Sequence, residues 1–183
     1  MLYDLSRADV RVKWLVTCLL LTFGLAYLFG GWMVALYAGF TPGTVAATYA
    51  GAEMSMAMPP ETTVVVERPM TMGQFAEAAP HQVDLPLLVQ DTHVHVPMYG
   101  VIAACLSVVV LGLRVSRRLA LGLISVLFAA PWLDFLGMWL TKFVGRGFAY
   151  VTLLGGWAMA VGLLIVLFVA LRQMWFWSER RAT

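Results

Sequence analysis

The chain has 183 residues, 61% of them hydrophobic and 12% charged, where soluble domains are roughly 45–50% apolar, and its mean hydropathy is +0.83. Such a composition excludes an ordinary soluble globular domain and makes this a membrane protein. The net charge is only +2, and the basic residues are scattered over separate segments, so no face for nucleic acid is implied.

Residues 1–13 mix Arg7, Arg11 and Lys13 with Asp4 and Asp9, and twenty-three uncharged residues follow from Trp14 to Leu36. At ~1.5 Å rise per residue this run crosses a hydrocarbon core ~30 Å thick. It is too long for a signal-peptide core and lacks a small-x-small cleavage site, so a retained first span over 14–37 is expected. Cys18 and Cys105 each lie in apolar runs outside any CxxC motif and are expected to be buried, inert thiols.

Residues 38–97 form the single substantial polar segment. Thr41 followed by Pro42 is a helix start, with Gly51 as its stop, and Thr62 to Glu67 is β-branched enough for a short strand. Prolines 59, 60, 69, 80 and 86 divide the remainder, which predicts a cap or long loop without a core of its own. The second span is placed over 98–113. Sixteen residues reach only ~24 Å, so this helix either starts earlier, reaching back through Val94 toward Leu85 with a kink near Pro97, or thins the bilayer around it.

Arg114, Arg117 and Arg118 mark a basic loop over 114–118, the third span covers 119–140, a polar turn 141–147, and the fourth span 148–171, before a basic and aromatic tail over 172–183. The expected fold is therefore all-α, with four transmembrane helices. An N-terminus inside puts nine Lys and Arg in cytoplasmic segments and leaves Arg68, Lys142 and Arg146 outside, a clear positive-inside bias. Both termini are then cytoplasmic, the 38–97 segment is periplasmic, and the location is a bacterial inner membrane. Ala26 with Gly30, Gly156 with Ala160 and Ala158 with Gly162 are small-residue pairs suited to close helix approach.

Chemistry concentrates where the polar segment meets the second span, at Asp91-Thr92-His93-Val94-His95-Val96-Pro97-Met98. In an extended backbone His93 and His95 point the same way and can share an ion; on a helix they lie ~200° apart. Pro97 favours extended geometry in Val96 before it. Met54, Met56 and Met58 alternate, as do Met70 and Met72, and thioethers in a polar loop are soft ligands that select Cu(I). The expected metal set is His93, His95, Met98, His81 and those five methionines, supported from behind by Asp91, Thr92 and Asp134. Asp134 is the one ionisable residue deep in a span, at a cost of roughly 2.5–3.5 kcal/mol that calls for a partner, with Lys142 or a second-span histidine as candidates. Interfacial histidines that meet only water and headgroups, and methionines that merely pack or dock, are the plain alternatives. Haem b has no histidine inside a span to hold it, which leaves only an interfacial haem.

The Thr41-Pro42-Gly43 opening, the Thr92-His93-x-His95 element before Pro97, Ala130-Pro131-Trp132-Leu133 and Phe148-Ala149-Tyr150 together resemble a family of small bacterial inner-membrane proteins with four helices. The resemblance implies the four-helix architecture and makes Thr92, His93 and His95 family features; it implies no reaction. Three functional expectations follow. The first is an accessory, non-catalytic subunit of an inner-membrane redox or metalloenzyme complex with an outward-facing site, copper preferred. The second is a purely structural helix-packing subunit of a larger complex or homo-oligomer, and the third an electron-transfer protein with interfacial haem.

Overall fold

The structure, a computed structural model, describes residues 3–50 and 82–176. Within them the chain is helical: a 3-10 turn Leu5–Arg7, α1 Val10–Tyr37, α2 Pro42–Ala50, α3 Leu85–Leu111, α4 Arg117–Phe143, a 3-10 turn Arg146–Phe148, α5 Ala149–Leu171 and a π-helical turn Arg172–Phe176. Four stretches are long and apolar enough to cross a membrane: Val10–Tyr37, Leu85–Leu111, Arg117–Phe143 and Arg146–Phe176. The strand expected over 62–67 lies outside the described residues.

Short polar side chains set the helix starts by accepting from backbone N–H groups that lack intrahelical partners. Asp9 accepts from Arg11 N in α1, Asp84 from Leu87 N in α3 and Ser116 from Leu119 N in α4. Thr41 does the same for Thr44 N at 3.2 Å, with Pro42 first in α2. Gly39, at φ 69°, supplies the left-handed turn between α1 and α2. The second long helix begins at Leu85 instead of Met98, so residues 85–97 continue it and Pro97 sits in its interior. With 27 residues, α3 is ~40 Å long and outreaches a ~30 Å hydrocarbon core. The helix is therefore longer than a perpendicular crossing requires.

The closest packing joins α4 to α5. A Cβ at Gly155 would collide with the Asp134 backbone and meet Ala130 O at 2.8 Å, and one at Gly137 would strike Thr152. Between helices surrounded by lipid there is no hydrophobic force, so close backbone approach through glycine supplies dispersion contact instead. The small-residue pairs read from the sequence are only partly used this way. Gly162 approaches Val126, but Gly30 and Gly156 face open space. Gly156 contributes its carbonyl, which accepts from the Tyr27 hydroxyl at 2.7 Å and ties α1 to α5. Cys18 is exposed on α1 and Cys105 is half-buried, so the expected burial fails for Cys18. A thiol is compatible with lipid as well as with a protein core.

At the end where the described termini meet, Leu5 is fully buried and its N–H donates to Gly112 O at 2.9 Å, while the Tyr3 hydroxyl donates to Val108 O at 2.6 Å. Arg114 donates to the Asp4 carboxylate from Nε at 3.0 Å and from its terminal nitrogen at 2.5 Å. Gln173 receives the Arg114 N–H at 2.7 Å, and the Trp175 indole donates to the Thr17 hydroxyl at 3.0 Å. The N-terminal turn, the α3–α4 connection and the C-terminal π-helical turn are thereby clasped together.

Two outcomes are expected. Gly155→Ala lowers resistance to unfolding in detergent by about 1–3 kcal/mol through overpacking, while Gly156→Ala leaves it unchanged or slightly higher; a denaturant titration followed by circular dichroism reads both. The Arg114 guanidinium, helped by the Ser6 hydroxyl and N–H, holds the Asp4 carboxyl down at about 2. Because the folded value lies below the ordinary one, the clasp contributes in full above pH ~4 and is lost as pH falls toward 2. Asp4→Asn removes that acid-side loss, which a series of unfolding midpoints against pH detects.

Candidate functional site at the α3 rim

At the opposite end, α3 and α4 bring together Asp91, Thr92, His95, Trp139 and Lys142. Asp91 and His95 are one turn apart on α3, and His95 Nδ1 lies 2.9 Å from Asp91 Oδ1 and 2.9 Å from the Asp91 carbonyl oxygen. Both oxygens are acceptors, so Nδ1 carries the proton of the neutral ring and Nε2 keeps the lone pair. Each side chain of the pair is 43% exposed. The Trp139 indole on α4 donates to the Thr92 hydroxyl at 3.0 Å, which donates in turn to Leu88 O at 2.7 Å. That chain pins α3 to α4. Lys142 donates to Val83 O at 2.5 Å and fastens the segment entering α3.

The structure separates what the sequence suggested would converge. His93 and His95 lie on one continuous helix, ~200° apart, with His93 exposed and His95 half-buried. The two rings thus face different ways and do not share one ion within the chain. Met98 follows His95 on a neighbouring face and is 55% exposed. His81, Met54, Met56, Met58, Met70 and Met72 lie outside the described residues. Among the described residues no three His, Cys, Asp or Glu side chains gather into a metal-binding group. The extended geometry expected ahead of Pro97 yields because a proline within a long membrane helix costs one hydrogen bond, while unwinding would expose several backbone groups.

Asp134 lies on α4 where Gly155 presses against its backbone. It takes neither Lys142 nor a histidine as an ion-pair partner; among the described residues its carboxyl has no hydrogen bond, and Asp91, His95, Tyr27, Tyr49 and Tyr99 are its electrostatic neighbours. Sequence reading missed Tyr99 and Trp139, though the spacing Asp91, His95, Tyr99 was visible as a single helical stripe. Beside that stripe an apolar groove of about 280 Å³ opens between α3 and α4, with Tyr99, Gly100, Phe128, Pro131, Trp132 and Phe135 in its wall. The His95 and Tyr99 rings are 5.9 Å apart, and those of Tyr99 and Phe135 6.0 Å.

Thr92→Val leaves the Trp139 N–H without its acceptor and is expected to cost about 0.6–2 kcal/mol. Trp139→Phe in the same background should then add little, and a double-mutant cycle on detergent unfolding measures the difference.

No curated protein and no solved structure matches the chain. Residues 39–182 do match a family described as a transmembrane helical domain. The region begins just after α1, so it takes in the rim, the groove and the whole α4–α5 contact, and the chain belongs to this Aq_1264_TM transmembrane helical domain family.

Proposed function

We propose that this protein is an accessory, non-catalytic subunit of a redox complex in a bacterial inner membrane, with its termini cytoplasmic and the α3 rim facing the periplasm. The nine-to-three distribution of Lys and Arg supports that orientation. The reading is carried by one observation: Asp91 holds His95 through Nδ1, which leaves Nε2 as the outward donor. A carboxylate behind an imidazole orients the ring and fixes its tautomer, as it does for metal-binding histidines. The ligand of choice is a transition metal, copper preferred, on His95 Nε2, with Met98, three residues further along the helix, as a further donor. The imidazole of His81 and the soft thioethers of Met54, Met56, Met58, Met70 and Met72 are the further donors of the set. His93 faces away and belongs to no such set.

A second reading, a helix-packing subunit of a larger complex, is favoured by that divergence of the imidazoles. A third places an interfacial haem b on one of them. Protein purified from native membrane separates the three. Stoichiometric copper that His95→Ala abolishes and His93→Ala retains supports the metal site. Metal-free, colourless wild type overturns it and leaves packing; a haem absorbance band promotes the cytochrome.

A further inference from the structure

We propose that the clasp end of the bundle binds an anionic phospholipid, with Arg11 and Arg172 taking its phosphate and the paired rings of Trp14 and Trp175 taking the top of its acyl chains. α1 and α4 start at this end and α5 finishes there, and cations bound each long apolar run: Arg11 and Lys13 before Trp14, Arg117 and Arg118 before Leu119, and Arg172 after Leu171. Each lies within one helical turn of apolar chain, ~5.4 Å, which is headgroup depth for helices that span. Arg11, Arg117, Arg118 and Arg172 are exposed and Lys13 is half-buried. The acids described at this end are Asp4 and Asp9; Asp4 accepts from Arg114, and Asp9 caps α1 through Arg11 N. None of these cations makes an ion pair or a side-chain hydrogen bond with a described residue.

The Trp14 and Trp175 rings meet edge to face with centroids 6.1 Å apart, where the start of α1 touches the C-terminal turn. Both are exposed. Trp175 donates its indole N–H to the Thr17 hydroxyl, whereas the Trp14 N–H has no acceptor among the described residues. Such a pair presents an apolar body to an acyl chain and a polar edge to an ester or phosphate oxygen. Arg11 precedes Trp14 by one turn of α1, and Arg172 opens the turn that carries Trp175. A guanidinium holds a phosphate through two parallel N–H groups, and basic clusters beside a membrane span draw anionic lipid. An acidic protein segment would meet the same charge, but it would first have to displace headgroups from a surface one turn above hydrocarbon, and it has no use for tryptophans at that depth. The other end offers no such surface: Lys142 donates to Val83 O, and Asp84 and Asp91 add negative charge. The inference rests on the helices spanning a membrane and is independent of the metal site.

Native mass spectrometry of the full-length protein, released from mixed micelles that hold phosphatidylglycerol and phosphatidylcholine in equal amounts, tests the proposal. Phosphatidylglycerol is expected to be retained about tenfold over phosphatidylcholine, and Arg11→Gln with Arg172→Gln to bring the two close to even. Arg11→Lys with Arg172→Lys should keep most of the preference, because the charge stays while the fork is lost. Trp14→Phe keeps every charge and removes the free N–H; it should weaken retention severalfold, which separates the tryptophan seam from diffuse charge. Circular dichroism checks that each variant is folded, and Trp14→Phe carries the test should the double glutamine variant not fold. Equal retention of the two lipids, a preference untouched by the glutamine and phenylalanine variants, or displacement of phosphatidylglycerol by an equimolar acidic peptide or equimolar inorganic phosphate overturns the proposal.

Discussion

Two helices whose backbones touch hold this molecule together. Gly155 seats directly on Asp134 and Ala130, and Gly137 on Thr152; in lipid, where apolar side chains gain nothing by leaving one apolar medium for another, such contact is the main source of association. Everything at the rim hangs from α4 once α5 has fixed it. Phe135 and Trp139 come from α4, and through Trp139 and Thr92 the start of α3 is held in register with them. A shift of α4 along α5 would therefore move the groove wall and the imidazole together.

The long helices were legible because uncharged runs of sufficient length have few other fates in a protein this apolar. Caps were partly legible too, as at Thr41 with Pro42, since a hydroxyl before a proline has a defined local use. Less visible was the true start of α3. Residues 85–97 contain charge, histidine and two prolines, and local composition there argues for a loop, whereas the helix persists because Asp84 caps it and α4 packs along it. Which glycines meet a neighbour was not legible either. Gly155 and Gly156 are adjacent and chemically identical, and only the azimuth of α5 around its axis decides that one is pressed against Asp134 while the other looks outward.

The fate of the histidines follows from that helix. An i, i+2 spacing brings side chains together on a strand and drives them apart on a helix, so the same three letters serve opposite ends. The spacing that survives helix formation is i, i+4, and it joins Asp91 to His95 and His95 to Tyr99. The rim is thus organised by a carboxylate, an imidazole and a phenol in one line, not by a pair of imidazoles.

The first helix stands somewhat apart. Only 6% of its spanning window is buried, its principal neighbour is α5, and the matched family region starts after it. Along the chain α1 precedes the other three candidate spans, and its main contact comes from the fourth. Before that contact forms it has to be stable as a solitary helix in lipid, which its charge-free run from Trp14 to Leu36 allows. Its docking then waits on α5, and the Leu5–Gly112 hydrogen bond gives the turn before α1 an earlier mooring once the α3–α4 hairpin has formed.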